Sequence, residues 1–300
     1  MEVGRLAPLD PLEVEADAET FAALASLKFV QQRFAGERTT IRVGTVEIGG
    51  DDFVVMAGPC AVESERQVMQ IAECVARTGA KVLRGGGFKP RTSPYSFQGL
   101  GIDALKLLRK AGDAFGLPII SEAMTDGQVE LVAEFSDIIQ IGTRSMFNPA
   151  LLAAVSRSGR PVLLKRGMTA AVEEWLEAAE ALVAHGNPNV ILCERGIRTF
   201  GRLTRNTCDL TAVAVLNQLT RLPVIVDPSH ASGQRVLVPA IARAAVAIGA
   251  DGLLIEVHPS PREALSDGLQ SLSFQEFETM MRSLEPHIEL WKQERVPAGA

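Results

Sequence analysis

The chain has 300 residues, 47% of them hydrophobic and only 5% aromatic, so its core is aliphatic and large enough to exclude general disorder. Its 30 Lys and Arg against 36 Asp and Glu leave a net charge of −6, which argues against a nucleic-acid or anionic-membrane binder. No apolar run approaches the roughly 20 residues of a membrane span, and the acidic N-terminus lacks the apolar stretch of a secretory signal. Cys60, Cys74, Cys193 and Cys208 show no CxxC pairing and no disulfide-framework spacing, as expected of free thiols in a reduced, cytoplasmic chain.

In chain order, residues 15–26 read as one short helix, and LKFVQQRF and TTIRVGTVEIGG as a strand pair or hairpin. A repeated pattern follows. The runs 53–58, 81–85, 118–122, 137–142, 161–165, 190–195, 223–228 and 252–258 are near-continuously apolar, as strands buried on both faces of a parallel sheet should be. Amphipathic helical periods separate them at 65–79, 103–115, 128–135, 150–157, 172–185, 210–219 and 236–248, and an eighth helix is expected at 274–284. Gly79, Gly116, Gly186 and Gly249 stand where helices stop. Eight strands each followed by a helix are the count of a (β/α)8 TIM barrel, whereas a doubly wound sheet normally stops at five or six. The expected division is an N-terminal hairpin extension over 1–50 that caps the bottom of the barrel, a catalytic barrel over 51–290 and a tail over 291–300.

Barrel enzymes carry their chemistry on the C-terminal strand ends. Here those ends and their loops hold Arg84, Lys89, Arg91, Arg144, Lys165, Arg166 and Arg195, so an acidic protein places much of its positive charge on one rim. Such a funnel concentrates anions, and Arg forks and Lys ammonium groups suit phosphate and carboxylate. Cys60, His230, Glu256 and Asp267 form a second set on strands one, seven and eight, which become neighbours when the barrel closes. One thiolate, one imidazole and two carboxylates suit a divalent metal ion of the Mn, Fe, Co or Zn type. Cys74 and Cys193 fall at core positions, and Cys208 has no assigned role.

The motifs AGPCAVES, GGFKPRTSPYSFQGLG, LLKRGM, ILCERGIRTF, RNT, IVDPSHASG, EVHPSP and ALSDGLQSL occur in this order over roughly residues 27–275. Together they closely resemble 3-deoxy-D-arabino-heptulosonate 7-phosphate (DAHP) synthase, in the small type I branch close to 3-deoxy-manno-octulosonate 8-phosphate synthase. The resemblance implies a (β/α)8 barrel and an aldol-type condensation of phosphoenolpyruvate with erythrose 4-phosphate, the entry step of the shikimate pathway to aromatic amino acids. By motif match, Arg84, Arg144, Lys165 and Arg195 would hold phosphoenolpyruvate. Lys89, Pro90, Arg91 and Thr92 would hold erythrose 4-phosphate, with Lys89 as proton donor to the new hydroxyl. Cys60, His230, Glu256 and Asp267 would hold the metal beside the aldehyde oxygen. Glu122, at the end of strand three, is a candidate for activating the water that adds at C2.

Two alternatives stand beside this reading. One is a sibling synthase with another aldose phosphate acceptor, such as arabinose 5-phosphate, although the KPRTS loop favours the four-carbon sugar. The other is an inactive paralogue serving as a regulatory subunit, although no ligand or base is missing. Family members are commonly dimers or tetramers, so a homo-oligomer is implied. After strand four the family reads Arg-Asn-Met-Gln-Asn, whereas this chain has Arg144-Ser145-Met146-Phe147-Asn148. Phe147 in place of an amide puts acceptor geometry or a subunit contact in question. Feedback control in the family rests on an added ferredoxin-like or chorismate-mutase domain. A ferredoxin-like unit needs on the order of 65 residues, so the expectation for this chain is insensitivity to aromatic amino acids, chorismate and prephenate unless another protein confers it.

Overall fold

A computed structural model describes residues 18–33, 36–89 and 95–295. The chain opens on α1 (Ala18–Ser26), followed by β1 (Ile41–Val43) and β2 (Val46–Ile48), paired antiparallel with Val43 opposite Val46. The two-residue turn between them starts at Gly44, whose φ of 59° is the left-handed geometry that primed hairpin turns require. Arg42 and Glu47 pair at 2.7 Å on the outer face, while Ile41, Val43, Val46 and Ile48 are buried.

Eight parallel strands then close into a barrel: β3 (Val54–Gly58), β4 (Val82–Arg84), β5 (Ile119–Ala123), β6 (Ile138–Ile141), β7 (Val162–Lys165), β8 (Val190–Glu194), β9 (Val224–Val226) and β10 (Gly252–Glu256), with β10 beside β3. The helices α2 (Glu65–Arg77), α3 (Ile102–Phe115), α4 (Val129–Phe135), α5 (Pro149–Arg157), α6 (Val172–Ala184), α7 (Leu210–Leu219), α8 (Pro228–Ser232), α9 (Val238–Ala247) and α10 (Phe274–Glu294) alternate with them. The strands are apolar throughout because they serve two cores. Outward residues such as Val55, Leu83, Ile139, Leu164, Leu192 and Ile255 pack under the helices. Inward residues Val54, Met56, Val82, Ile120, Ile138, Leu163, Ile191, Ile225 and Leu254 form one cluster with the four apolar residues of the hairpin. The hairpin therefore plugs the N-terminal end of the barrel, as the sequence suggested.

The described residues of LKFVQQRF, 27–33, do not form the expected strand. The backbone N–H groups of Lys28, Phe29 and Val30 donate to the Glu180 carboxylate of α6 at 2.7–3.1 Å, and among the described residues of the segment sheet-like pairing is limited to the Gln31–Thr220 bridge. A carboxylate far away in sequence takes the donors that a strand partner would have used. The last helix also passes the expected stop at residue 284 and runs through Pro286 to Glu294. Burial of Trp291 against Phe53, edge-to-face at 5.6 Å between ring centroids, offsets the hydrogen bond lost at the proline.

Buried Asp251 clamps these parts together below the barrel. It accepts from Val224 N at 2.6 Å, Arg295 at 2.6 Å and Arg38 at 3.2 Å, and Arg295 in turn donates to Gly49 O and stacks on Trp291. Asp251→Ala would leave the buried Arg295 uncompensated and is expected to cost about 3–5 kcal/mol in denaturant unfolding. A midpoint equal to that of the unaltered protein would show that the clamp carries no net stability.

Candidate active site

The C-terminal ends of the strands surround a cavity of about 560 Å³. Arg84, Lys89, Glu122, Gln140, Arg144, Lys165, Arg195, His230 and Asp267 line it, joined by Arg198 and Arg205 from the β8–α7 loop. The bases differ in what neutralises them. Arg84 Nη1 lies 2.8 Å from Glu256 Oε1 and donates to Pro59 O. Lys165 Nζ sits 2.6 Å from Asp227 Oδ2. Arg195 meets no carboxylate at ion-pair distance among the described residues and donates instead to the carbonyls of Gly196 and His230, at 3.2 and 3.4 Å. Burial pushes its guanidinium down from the ordinary range. The Nε atoms of Arg84 and Arg195 are buried and unpartnered. Such donors are costly unless something accepts from them, and an anionic ligand would. Arg144 is exposed at the mouth, in a 3₁₀ turn (Thr143–Ser145). Arg166 does not belong to this rim. It is buried against Glu194 and Asp209, at 3.1 and 2.8 Å, and donates to Ala170 O. Like Arg195 it directly follows the end of its strand, but its side chain turns to those acids.

Beside the bases lies the thiol–carboxylate cluster. Cys60, Glu256 and Asp267 each offer a ligand atom within 4.8 Å of the others. Cys60 Sγ is 3.0 Å from Asp267 Oδ2 and 3.0 Å from Ser266 Oγ. His230 stands one step out: its Nδ1 is 2.7 Å from Asp227 Oδ2, and its Nε2 is 3.4 Å from Glu256 Oε1. Asp227 also caps α8 by accepting from His230 N at 2.9 Å. This short helix, unannounced in the sequence, fixes the ring, and a carboxylate on Nδ1 leaves Nε2 as the ligating nitrogen. Burial alone would lift the Asp227 carboxyl, but His230 and Lys165 outweigh it and hold it well below the usual range. Burial and then the Glu256 charge push the Cys60 thiol up to about 12. Asp267 has a φ of 52°, the non-glycine residue at positive φ among those described. That conformation costs on the order of 1 kcal/mol and persists only where the surroundings impose it. One soft sulfur and two carboxylates converge, with the His230 imidazole 3.4 Å from one of those carboxylates, and this donor set fits a borderline divalent ion.

Lys89 donates from Nζ to Cys60 O at 3.2 Å and so bridges the bases and the cluster. Burial opposes its charge, but Cys60 and Glu256 outweigh it and hold the ammonium above its ordinary range. Pro90, Arg91 and Thr92 lie outside the described residues. Glu122 accepts from Gln140 Nε2 at 2.8 Å, and Gly142 makes room for it: a Cβ there would sit 2.1 Å from Glu122 Oε1. Phe147 is 57% exposed and packs beside Gly167 rather than lining the cavity.

A closed eight-stranded parallel barrel with such a mouth defines a (β/α)8-barrel enzyme. The model of the DAHP synthetase I family matches residues 27–292, and the chain belongs to that family. The phospho-2-dehydro-3-deoxyheptonate aldolase of Thermotoga maritima is 48% identical over 262 residues, 87% of this chain and 78% of the relative. A crystal structure of that Thermotoga maritima aldolase, a DAHP synthase, matches with a TM-score of 0.87 at 46% identity, covering 89% of this chain and 78% of the other. A truncated form of 3-deoxy-D-arabino-heptulosonate 7-phosphate synthase from the same organism matches with a TM-score of 0.82 at 42% identity, over 88% and 97%. The 2-dehydro-3-deoxyphosphooctonate aldolase of Geotalea uraniireducens is 35% identical over 264 residues, 82% of this chain and 96% of the relative.

Proposed function

We infer that the chain condenses phosphoenolpyruvate with erythrose 4-phosphate to give DAHP and phosphate, the first step of the shikimate pathway. The observation that carries this reading is the pair of unpartnered buried guanidinium nitrogens, Arg84 Nε and Arg195 Nε, in a basic cavity beside Cys60, Glu256 and Asp267. Arg84, Arg144, Lys165 and Arg195 bind the phosphate and carboxylate of phosphoenolpyruvate. Lys89, Pro90, Arg91 and Thr92 bind the aldose phosphate. C3 of the enol attacks the aldehyde carbon, and Lys89 gives a proton to the oxygen that becomes a hydroxyl. Glu122, steadied by Gln140, takes a proton from the water that adds at C2. Phosphate then leaves with cleavage of its C–O bond, and C2 becomes the ketone. The bases contribute orientation and electrostatics set before the reaction begins. Cys60, His230, Glu256 and Asp267 would hold a divalent ion of the Mn, Fe, Co or Zn type, which when bound supplies a Lewis acid for the aldehyde oxygen.

Phosphate release from phosphoenolpyruvate with a panel of aldose phosphates tests this reading. Turnover with erythrose 4-phosphate well above that with arabinose 5-phosphate is expected. The reverse preference would make the chain an octulosonate synthase, and no turnover with any sugar an inactive paralogue. Four free thiols among the described residues suit the cytoplasm, and no helix there is long and apolar enough to cross a membrane.

The exposed Phe147 ring supports a homo-oligomer with this residue at a subunit contact. Phe147→Gln is expected to weaken self-association in sedimentation velocity and to leave the KM for erythrose 4-phosphate unchanged. A lowered KM with unchanged assembly would instead put position 147 in acceptor binding.

A further inference from the structure

The β8–α7 loop carries a residue that the steps above leave without a task. Arg205 donates from Nη1 to Gln270 Oε1 at 2.6 Å and from Nη2 to Asp267 Oδ1 at 3.2 Å. Gln270 is buried, and its Nε2 donates to Glu256 Oε2 at 2.6 Å. The other Glu256 oxygen is already engaged by Arg84, so Gln270 decides how the carboxylate is turned. A guanidinium only donates. Arg205 therefore fixes which end of the Gln270 amide faces it, and the donor end is left for Glu256. The same guanidinium holds Asp267 in its positive-φ turn, where Gln270 N also accepts restraint by donating to Asp267 O at 3.3 Å. Backbone bonds anchor the loop itself to the helix bearing His230: Arg205 N donates to Ser232 O and Asn206 N to Ala231 O, each at 3.0 Å.

We infer that Arg205 and Gln270 are positioning residues for the metal site, setting Glu256 and Asp267 in the mutual orientation a bound ion needs. The inference rests on the metal-site reading above. Outer partners of this kind are worth 10- to 100-fold in metal affinity.

Cobalt(II) titration of the whole protein provides the test, because the ion reports its ligand geometry by absorption as well as affinity. Gln270→Met keeps the volume and removes both hydrogen bonds, and Arg205→Met removes the fork. Each is expected to weaken cobalt binding by about 10- to 100-fold and to change the thiolate-to-cobalt and d–d bands. Arg205→Lys should recover part of both, since it keeps a cation beside Asp267. The double variant should lose less than the product of the single losses, as members of one network do. Should Gln270→Met fail to fold, Arg205→Met, at a half-exposed residue, still decides the matter. Unchanged cobalt affinity and spectrum in both variants would overturn the inference. So would a raised KM for phosphoenolpyruvate with unaltered cobalt binding in Arg205→Met, which would make Arg205 a substrate contact. A protein that shows no cobalt–thiolate band sensitive to Cys60→Ser would remove the metal reading itself, and this inference with it.

Discussion

Cys60→Ser is expected to lower metal affinity by more than about 100-fold, beyond the range of outer-shell partners, and to remove turnover while the barrel stays folded. The thiol is buried, 3.0 Å from both Ser266 Oγ and Asp267 Oδ2. A serine hydroxyl fits the same space and keeps those hydrogen bonds, so the fold loses little. It is the soft ligand that disappears: a hydroxyl at neutral pH neither ionises nor shares electrons with a borderline ion as a thiolate does. With its thiol pushed up to about 12, the metal-free protein holds Cys60 protonated, so ligation has to expel a proton. Treatment with EDTA should abolish phosphate release, and added manganese, cobalt or zinc should restore it. Full activity after exhaustive chelation, with metal content verified by mass spectrometry, would remove the cluster from the chemistry. Circular dichroism melts of Cys60→Ser separate loss of ligand from loss of fold.

The barrel was legible because its signal is redundant. Each strand must be apolar on both faces, and each helix must end where its strand begins, so eight repeats agree with one another. Departures arise where a distant group supplies what the local pattern does not name. LKFVQQRF has strand composition, but Glu180 takes the N–H groups of Lys28, Phe29 and Val30. Pro286 marks a stop, but buried Trp291 holds the helix beyond it.

The same division runs through the site. Cys60, Glu256 and Asp267 could be gathered from strand positions alone, because closure of the barrel makes β10, β3 and β9 neighbours. Side-chain direction could not. Arg166 follows Lys165 directly, yet turns to Glu194 and Asp209 while Lys165 faces the cavity. Arg205 and Gln270 carry no signal of their own, since an arginine and an amide in loops 65 residues apart become a network only when the loops meet. The RNT and SDGLQSL motifs contained both residues, and their partners gave them meaning.

Among the bases, Arg195 offers the cleanest probe of phosphoenolpyruvate binding. Removing Arg84 would strand Glu256, and removing Lys165 would strand Asp227, so those variants mix substrate loss with buried-charge penalties. Arg195 surrenders two hydrogen bonds to neutral carbonyls and leaves no carboxylate unpaired. Arg195→Ala is therefore expected to fold normally and to lose roughly 10²–10³ in kcat/KM for phosphoenolpyruvate, the scale of one donor aimed at developing charge. KM should rise and kcat should fall together, because a guanidinium fork both holds the anion and fixes its angle to the aldehyde. Arg195→Lys should recover little, since an ammonium keeps the charge but not the fork. Arg91→Ala provides the contrast: its effect should fall on the KM for erythrose 4-phosphate, with phosphoenolpyruvate binding nearly untouched. If both alanine variants altered the kinetics of the same substrate alone, the cavity would hold one phosphate site rather than two, and the assignment of bases between donor and acceptor would have to be redrawn.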